Sequence, residues 1–181
     1  MEDLVEKAKN GDEEAFISLM LFLEDELYKI ARLRLKDESD IEDAIQETTI
    51  KAYKSIKRLK KIKYFKTWII KILINQSNNI YMKNKRRINI IEFNEANSMN
   101  IIQPDELETL EDKLDFEFMC KNLKYEERMI IVLYYMYKYT DKEIGRILRL
   151  NENTVTTRRT RAKKKIQIIL DERKNNNGWI R

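Results

Sequence analysis

The chain has 181 residues, enough for one domain or two small ones. It contains only 3 Gly and 1 Pro, and alternating apolar runs are missing, so we predict an all-α fold. With no His and a single cysteine, Cys120, it lacks the commonest general base, the commonest transition-metal ligand and an intramolecular disulfide. We therefore expect no enzyme: no catalytic residue, metal site, cofactor or small-molecule substrate.

The net charge is +5, and the two signs are concentrated in separate patches along the chain. Basic patches favour phosphate backbones, whereas acidic patches indicate a basic protein partner. The amphipathic, acidic N-terminus is not a signal peptide, and no apolar run reaches membrane-spanning length, so we expect a cytoplasmic protein.

Two small helical domains joined by a flexible linker are predicted from the composition. Helical periodicity covers residues 1–88 and resumes over residues 109–175. Residues 89–108 between them hold the only proline, Pro104, and are rich in Asn, Glu and Gln, which is typical of a linker.

The first domain is expected to open with a short helix that Gly11 ends and a long helix that Asp12 caps. The apolar stripe of the long helix comprises Ala15, Phe16, Leu19, Leu23, Leu27, Ile30 and Ala31. Ser39 and Glu42 have the spacing of a capping box, which predicts the start of a third helix. Its predicted inward positions are Ala44, Ile45, Thr48, Ala52, Tyr53 and Ile56.

A basic connector, residues 57–63, precedes a fourth helix in which aromatic and cationic residues alternate. Phe65 and Trp68 fall on the apolar stripe of this helix and are predicted to be core. The alternative is a stacking platform for unpaired bases beside the cations.

A helix-turn-helix is predicted over residues 140–165, after a helix over residues 126–137. Thr140 and Glu143 form a capping box, and Asn151 is a good N-cap for the second helix. Val155, Ala162 and Ile166 share the stripe that faces the first helix. The other side carries hydroxyls and cations, which suits reading of base edges in a major groove. The alternative is a basic surface helix that binds nothing.

These segments together resemble the sigma-70 family of bacterial RNA polymerase sigma factors, in its extracytoplasmic-function (ECF) form. The resemblance is carried by GDEEAF at 11–16, DIEDAIQETTIKAY at 40–53, FKTWIIKILIN at 65–75 and the helix-turn-helix. The chain departs from the family pattern at Thr49, Lys124, Lys138, Arg149 and Arg159. Lys138 and Arg149 stand where Gly is common, and the head of Arg159 is expected to reach a phosphate.

The resemblance implies a transcription-initiation factor whose partners are core RNA polymerase, promoter DNA and an anti-sigma factor, often membrane-anchored. It assigns core-polymerase binding to Asp40, Asp43, Gln46 and Glu47. It assigns binding of the minus-ten element to Lys57, Arg58, Lys60, Lys61, Lys63, Tyr64, Trp68, Asn75, Lys83, Arg86 and Arg87. The resemblance and the polar face of the recognition helix both assign binding of the minus-thirty-five element to Thr154, Thr157, Arg158, Arg161, Lys164 and Lys165.

Two other functions compete with this interpretation. A free-standing transcriptional regulator would have the same helix-turn-helix, but it would not need an acidic helix beside an aromatic and basic one. A nuclease with a DNA-binding tail would need catalytic groups. Asp40, Asp43 and Glu47 are helical neighbours, but no His or second carboxylate cluster joins them, so we predict a protein-binding or solvated acidic face.

Overall fold

The computed structural model of the protein describes residues 1–91 and 123–177, with side chains over 1–86 and 123–171. All regular structure in these two ranges is helical. The chain divides into two compact units, Met1–Asn100 and Ile101–Arg181. This confirms the all-α prediction with two small domains. Most of the predicted linker, including Pro104, and the predicted helix with Cys120 lie outside the described residues.

The first unit contains four α-helices: α1 (Glu2–Lys9), α2 (Glu13–Arg32), α3 (Glu38–Ser55) and α4 (Phe65–Ile91). Two short 3₁₀ turns, Ile56–Arg58 and Ile62–Tyr64, connect α3 to α4. Because α4 continues to Ile91, residues 89–91 of the predicted linker are helical. The domain boundaries themselves stay a prediction.

Helix α2 runs through the core of the first unit and packs against α1, α3 and α4. The turn before it needs a left-handed residue, which Gly11 supplies with φ of 100°. The Asp12 side chain then accepts a hydrogen bond of 2.9 Å from the Ala15 amide, as an N-cap does. All seven residues of the predicted stripe of α2 are buried.

Helix α3 differs from the prediction at two places. The predicted capping box of Ser39 and Glu42 is wrong, because the extended backbone of Asp37 starts the helix at Glu38 and places Ser39 within the first turn. Tyr53, predicted to face inward, is 49 % exposed. Its ring packs edge-on against Phe16, and its hydroxyl donates to Glu13 across 2.7 Å.

The second unit contains α5 (Tyr125–Ile131), a π-helical segment (Val132–Met136), α6 (Asp141–Leu148) and α7 (Glu152–Asn177). The predicted helix over 126–137 is thus α-helical only as far as Ile131 and then widens. The wide turn keeps Val132 and Leu133 buried and leaves Tyr135 and Met136 exposed.

The helix-turn-helix is confirmed at both of its caps. Glu143 donates its amide to the Thr140 hydroxyl over 3.3 Å, and the Thr140 amide donates to the Glu143 carboxylate over 2.9 Å. Arg149 ends α6 in the left-handed region, with φ of 58° and ψ of 42°. The Asn151 side chain then accepts from the Asn153 amide at 2.8 Å and starts α7.

We predict that Arg149→Gly stabilises the second unit by about 0.5–1 kcal/mol, because a left-handed conformation costs an L-residue more than it costs glycine. The measurement is urea unfolding of the full-length chain. Arg149→Ala is the control, since it removes the same side chain but keeps Cβ. An equal gain from Ala and Gly would contradict the prediction.

Candidate nucleic-acid and protein interfaces

The exposed face of α3 carries most of the side chains predicted to bind core polymerase. Asp43, Gln46 and Glu47 are exposed, and Glu47 lies 3.8 Å from Lys51 on the same helix. Asp40 is different, because it turns towards α4 and accepts a hydrogen bond of 2.6 Å from Asn84. Burial raises the pKa of Asp40 above its ordinary value, and the neighbouring Asp37 raises it further.

A groove of about 670 Å³ lies beside this face, between α2 and α3. Leu21 and Ile45 supply apolar surface, and Tyr28 donates its hydroxyl to Glu38 across 3.0 Å. The remaining lining residues are acids and an amide: Glu24, Asp25, Glu42 and Gln46. The groove therefore extends the negatively charged surface that α3 presents.

The connector between α3 and α4 is an ordered basic loop, residues 56–64. Ile56 and Leu59 are buried at 2 % and 7 % exposure. The five cations between and after these anchors are all exposed: Lys57, Arg58, Lys60, Lys61 and Lys63. Lys63 lies over the Tyr64 ring, 5.1 Å from its centroid. The loop thus presents its charges outward from a fixed apolar base.

A second groove, of about 490 Å³, brings together three of the residues predicted to contact the minus-ten element: Arg58, Trp68 and Asn75. Phe65 is buried, as predicted for the core, but Trp68 is only half-buried and lines this groove. The groove therefore combines an aromatic surface with cations and amides, which are the groups that hold unpaired bases and phosphates.

The same groove contains residues that the sequence did not single out: Lys51, Lys54, Ser55, Ile72 and Gln76. Gln76 is largely buried and accepts a hydrogen bond of 2.5 Å from Lys51. Lys51 and Lys54 belong to the last turns of α3, next to the basic loop in sequence, and that adjacency was the available signal. Lys83 and Arg86 lie further along α4 and are exposed, and the Arg87 side chain is outside the described residues.

In the second unit, α7 is anchored by one narrow stripe. Val155 and Ala162 are fully buried, and Ile166 packs against a small cluster of Leu123, Ile131 and Ala162. The opposite face is exposed and holds Thr157, Arg161 and Lys164 of the predicted set. Asn153 and Thr160, which the sequence did not single out, are exposed as well.

Arg158 and Lys165 occupy the flank of α7 that faces α5. Arg158 forms an ion pair with Glu126, and Lys165 one with Glu127 at 2.6 Å. Although burial opposes it, the net pKa of Glu127 is lowered, chiefly because Lys165 and the Lys124 amide donate hydrogen bonds to its carboxylate. DNA phosphate or a base edge would therefore compete with these carboxylates for the two cations.

Arg159, on the other flank, does not reach outward as expected from the sequence. Its guanidinium donates two hydrogen bonds to Asp141, at 2.9 and 2.8 Å, and lies 4.0 Å from the centroid of the Tyr134 ring. Thr156 donates to the same carboxylate at 2.7 Å. The hydrogen bonds from Arg159 lower the pKa of Asp141, and those to Asp141 raise the pKa of Arg159. This bidentate pair joins α6 to α7.

Comparison with known proteins agrees with this geometry. The sigma-70 region 2 family matches residues 22–87, and the sigma-70 region 4 family matches residues 116–166. These two matches cover well over half of the chain, and the chain belongs to the sigma-70 family, in its ECF subfamily. It is therefore a transcription-initiation factor and not an enzyme.

Among its relatives is the ECF RNA polymerase sigma factor SigW of Bacillus subtilis, 24 % identical over 173 residues, which cover 90 % of this chain and 92 % of SigW. Another is the ECF RNA polymerase sigma-E factor of Escherichia coli, 29 % identical over 175 residues, with 90 % of each chain covered. The fold is shared with the sigma factor RpoE from Bartonella quintana, solved in complex with the anti-sigma factor NepR, at a TM-score of 0.72 and 22 % identity over 86 % of this chain and 96 % of that one.

Asp141→Ala should destabilise the second unit by about 2 kcal/mol, because it leaves the charged, half-buried Arg159 without its two hydrogen bonds. Asp3→Ala is the matched control, since Asp3 forms an exposed pair with Lys7 and should cost less than about 1 kcal/mol. Urea unfolding of the full-length variants measures both.

The pH dependence follows from the lowered pKa of Asp141. Its contribution is complete above the ordinary value of 3.8 and disappears as the pH falls through the lower folded-state pKa. The difference in unfolding free energy between wild type and Asp141→Ala should hold from pH 7 to pH 5 and narrow below about pH 4. A difference already lost at pH 5 would contradict the ion-pair explanation.

Proposed function

We propose that this protein is an alternative sigma factor whose first unit docks core RNA polymerase and opens the minus-ten element, and whose second unit binds the minus-thirty-five element. One observation carries the proposal. A single chain presents a carboxylate face, an aromatic and cationic groove and a recognition helix, in the order of the two sigma-70 regions.

Docking on core polymerase is assigned to the exposed face of α3. Asp43, Gln46 and Glu47 are exposed and therefore accessible to a basic partner surface. Asp40 contributes to this face only indirectly, because its carboxylate turns towards α4 and already accepts a hydrogen bond from Asn84. An acidic surface meeting a basic one gives both a fast encounter and a defined orientation.

Recognition of the melted minus-ten element is assigned to the basic loop and to the second groove, which is lined by Arg58, Trp68 and Asn75 and is called the Trp68 groove below. The half-buried indole offers a face for stacking, which contributes roughly 1–3 kcal/mol per unpaired base. Asn75 supplies an amide donor and acceptor beside it, and the surrounding cations suit phosphates. Lys83, Arg86 and Arg87 lie further along α4, where they would bind phosphates of the DNA backbone beyond the groove.

Recognition of the minus-thirty-five element is assigned to the outer face of α7. Its N-terminal residues Thr154 and Thr157 would approach base edges, with Arg158 beside them. Arg161, Lys164 and Lys165 lie later on the helix and would bind phosphate.

The decisive experiment is transcription in vitro with purified core polymerase and a pool of promoter fragments. The full-length chain should direct initiation from a specific subset that core polymerase alone does not use. A free-standing regulator would bind DNA without directing initiation, so binding with no specific transcript would overturn the proposal in favour of that alternative.

Control by an anti-sigma factor is part of the same proposal, supported by the structural neighbour solved with its anti-sigma factor. No helix among the described residues is both long and apolar enough to cross a membrane. We place the chain in the cytoplasm, held near the membrane when the anti-sigma factor is membrane-anchored. Cell fractionation before and after an envelope stress should show release from the membrane fraction, and an unchanged distribution would contradict this placement.

Asp43→Arg is expected to weaken binding to core polymerase at least about tenfold, because like charges at an interface cost several kcal/mol. Binding is measured by titration of labelled full-length chain, with circular dichroism to verify helicity. Glu14→Arg makes the same charge change at an exposed position of α2 and should leave affinity unchanged. Equal affinity of Asp43→Arg and wild type would rule out docking through this face.

Arg158→Ala should cost roughly 1–3 kcal/mol on the preferred upstream element and relax preference at one base position. Lys165→Ala should instead weaken all sequences similarly and reduce the salt slope by about one phosphate contact. Both are measured as binding to promoter variants at several salt concentrations. If Arg158→Ala weakens every sequence equally, Arg158 binds phosphate and the assignment to bases is wrong.

A further inference from the structure

The sigma-70 region 2 match begins only at residue 22, so it does not include the N-terminal helix α1. Yet α1 packs against both 3₁₀ turns of the basic loop. Its buried residues Val5 and Ala8 fix it on α2, so its last turn has a defined position beside residues 56–64.

Lys9, the last residue of α1, makes a specific contact with that loop. Its ammonium Nζ donates a hydrogen bond of 2.8 Å to the Leu59 carbonyl, across fifty positions of sequence. The contact is partly buried, and the Leu59 side chain is 7 % exposed. A charged donor makes this one of the stronger kinds of hydrogen bond.

The bonded carbonyl lies at the one place where the loop has no helical support. Leu59 follows the first 3₁₀ turn with an extended backbone, φ −63° and ψ 113°, and the second turn begins only at Ile62. Lys60 and Lys61 project from this extended stretch. A shift of the Leu59 peptide would therefore move the loop cations directly.

We propose that Lys9 is a positioning residue for recognition of the unpaired minus-ten strand. Its hydrogen bond to the Leu59 carbonyl holds the basic loop, whose Arg58 lines the groove with Trp68, in the shape that lets this groove discriminate bases of the unpaired minus-ten strand. This inference rests on the proposed function of the loop and adds a residue from outside the region 2 match. Lys9 acts through the backbone of the loop and does not itself contact DNA.

The test uses holoenzyme assembled from core polymerase and full-length chain, on promoter fragments whose minus-ten non-template strand is unpaired and carries each base in turn. The quantity measured is the ratio of affinities for the best and the worst base at each position. Lys9→Met should lower this ratio roughly tenfold or more at the base position that the loop and the groove contact, as expected for a lost charge-assisted hydrogen bond.

Two further variants separate positioning from charge and from stability. Lys9→Arg keeps a cationic donor and should restore most of the ratio. Lys7→Met removes the same charge from the same helix, where Lys7 forms an exposed pair with Asp3, and should leave the ratio at the wild-type value. A general loss of folded protein would lower all affinities together and leave the ratio unchanged. Thermal unfolding of each variant measures its stability separately.

The inference is overturned if Lys9→Met retains the wild-type ratio, if Lys9→Arg is as defective as Lys9→Met, or if Lys7→Met loses the ratio equally. These outcomes differ from failure of the proposed function. In that case the wild-type holoenzyme itself directs no specific initiation and shows no base preference in the unpaired strand.

Discussion

Each described helix of this chain buries one face, and most of the side chains that we propose to meet a partner lie outside that buried face. With 37 % of its residues charged, the chain has limited apolar surface with which its helices can pack against one another. Helix α7 shows the consequence, because Val155 and Ala162 are its only fully buried residues among those described. Such a thin contact leaves the rotation and tilt of a helix weakly determined.

Polar contacts between helices determine the rotation and tilt that apolar packing leaves open. The bidentate pair of Arg159 with Asp141 joins the two helices of the helix-turn-helix, and Lys66 with Glu26 joins α4 to α2 at 2.7 Å. Removing one partner from a half-buried pair costs more than the pair contributes, because it leaves a charge without its hydrogen bonds. The orientation of the helices that carry the charged surfaces thus depends on a few ion pairs. A larger domain would determine it by apolar packing.

Charge is also distributed unevenly along α3, the helix that contributes to both of the surfaces proposed for the first unit. The first turn of α3 carries Glu38 and Asp40, and its last turns carry Lys51 and Lys54, an order that agrees with the helix dipole. Its acidic side is open to a basic protein surface, whereas its basic end lines the Trp68 groove. The same distribution that stabilises the helix therefore separates the surface that we propose for core polymerase from the surface that we propose for DNA.

The sequence by itself determined several features that depend on neighbours within about four residues, although the capping box of Ser39 and Glu42 did not form. These are the buried stripe of α2, the caps at Thr140 and Asn151, and the turn at Gly11, because helix periodicity and capping are local. Only the tertiary structure decided which long side chains meet. It placed Trp68 at a groove and Tyr53 outside the core, and it paired Arg159 with Asp141, which lies eighteen positions away. A flexible charged side chain has many rotamers and several partners within reach, so its contact is chosen by how the helices dock and not by its own sequence context.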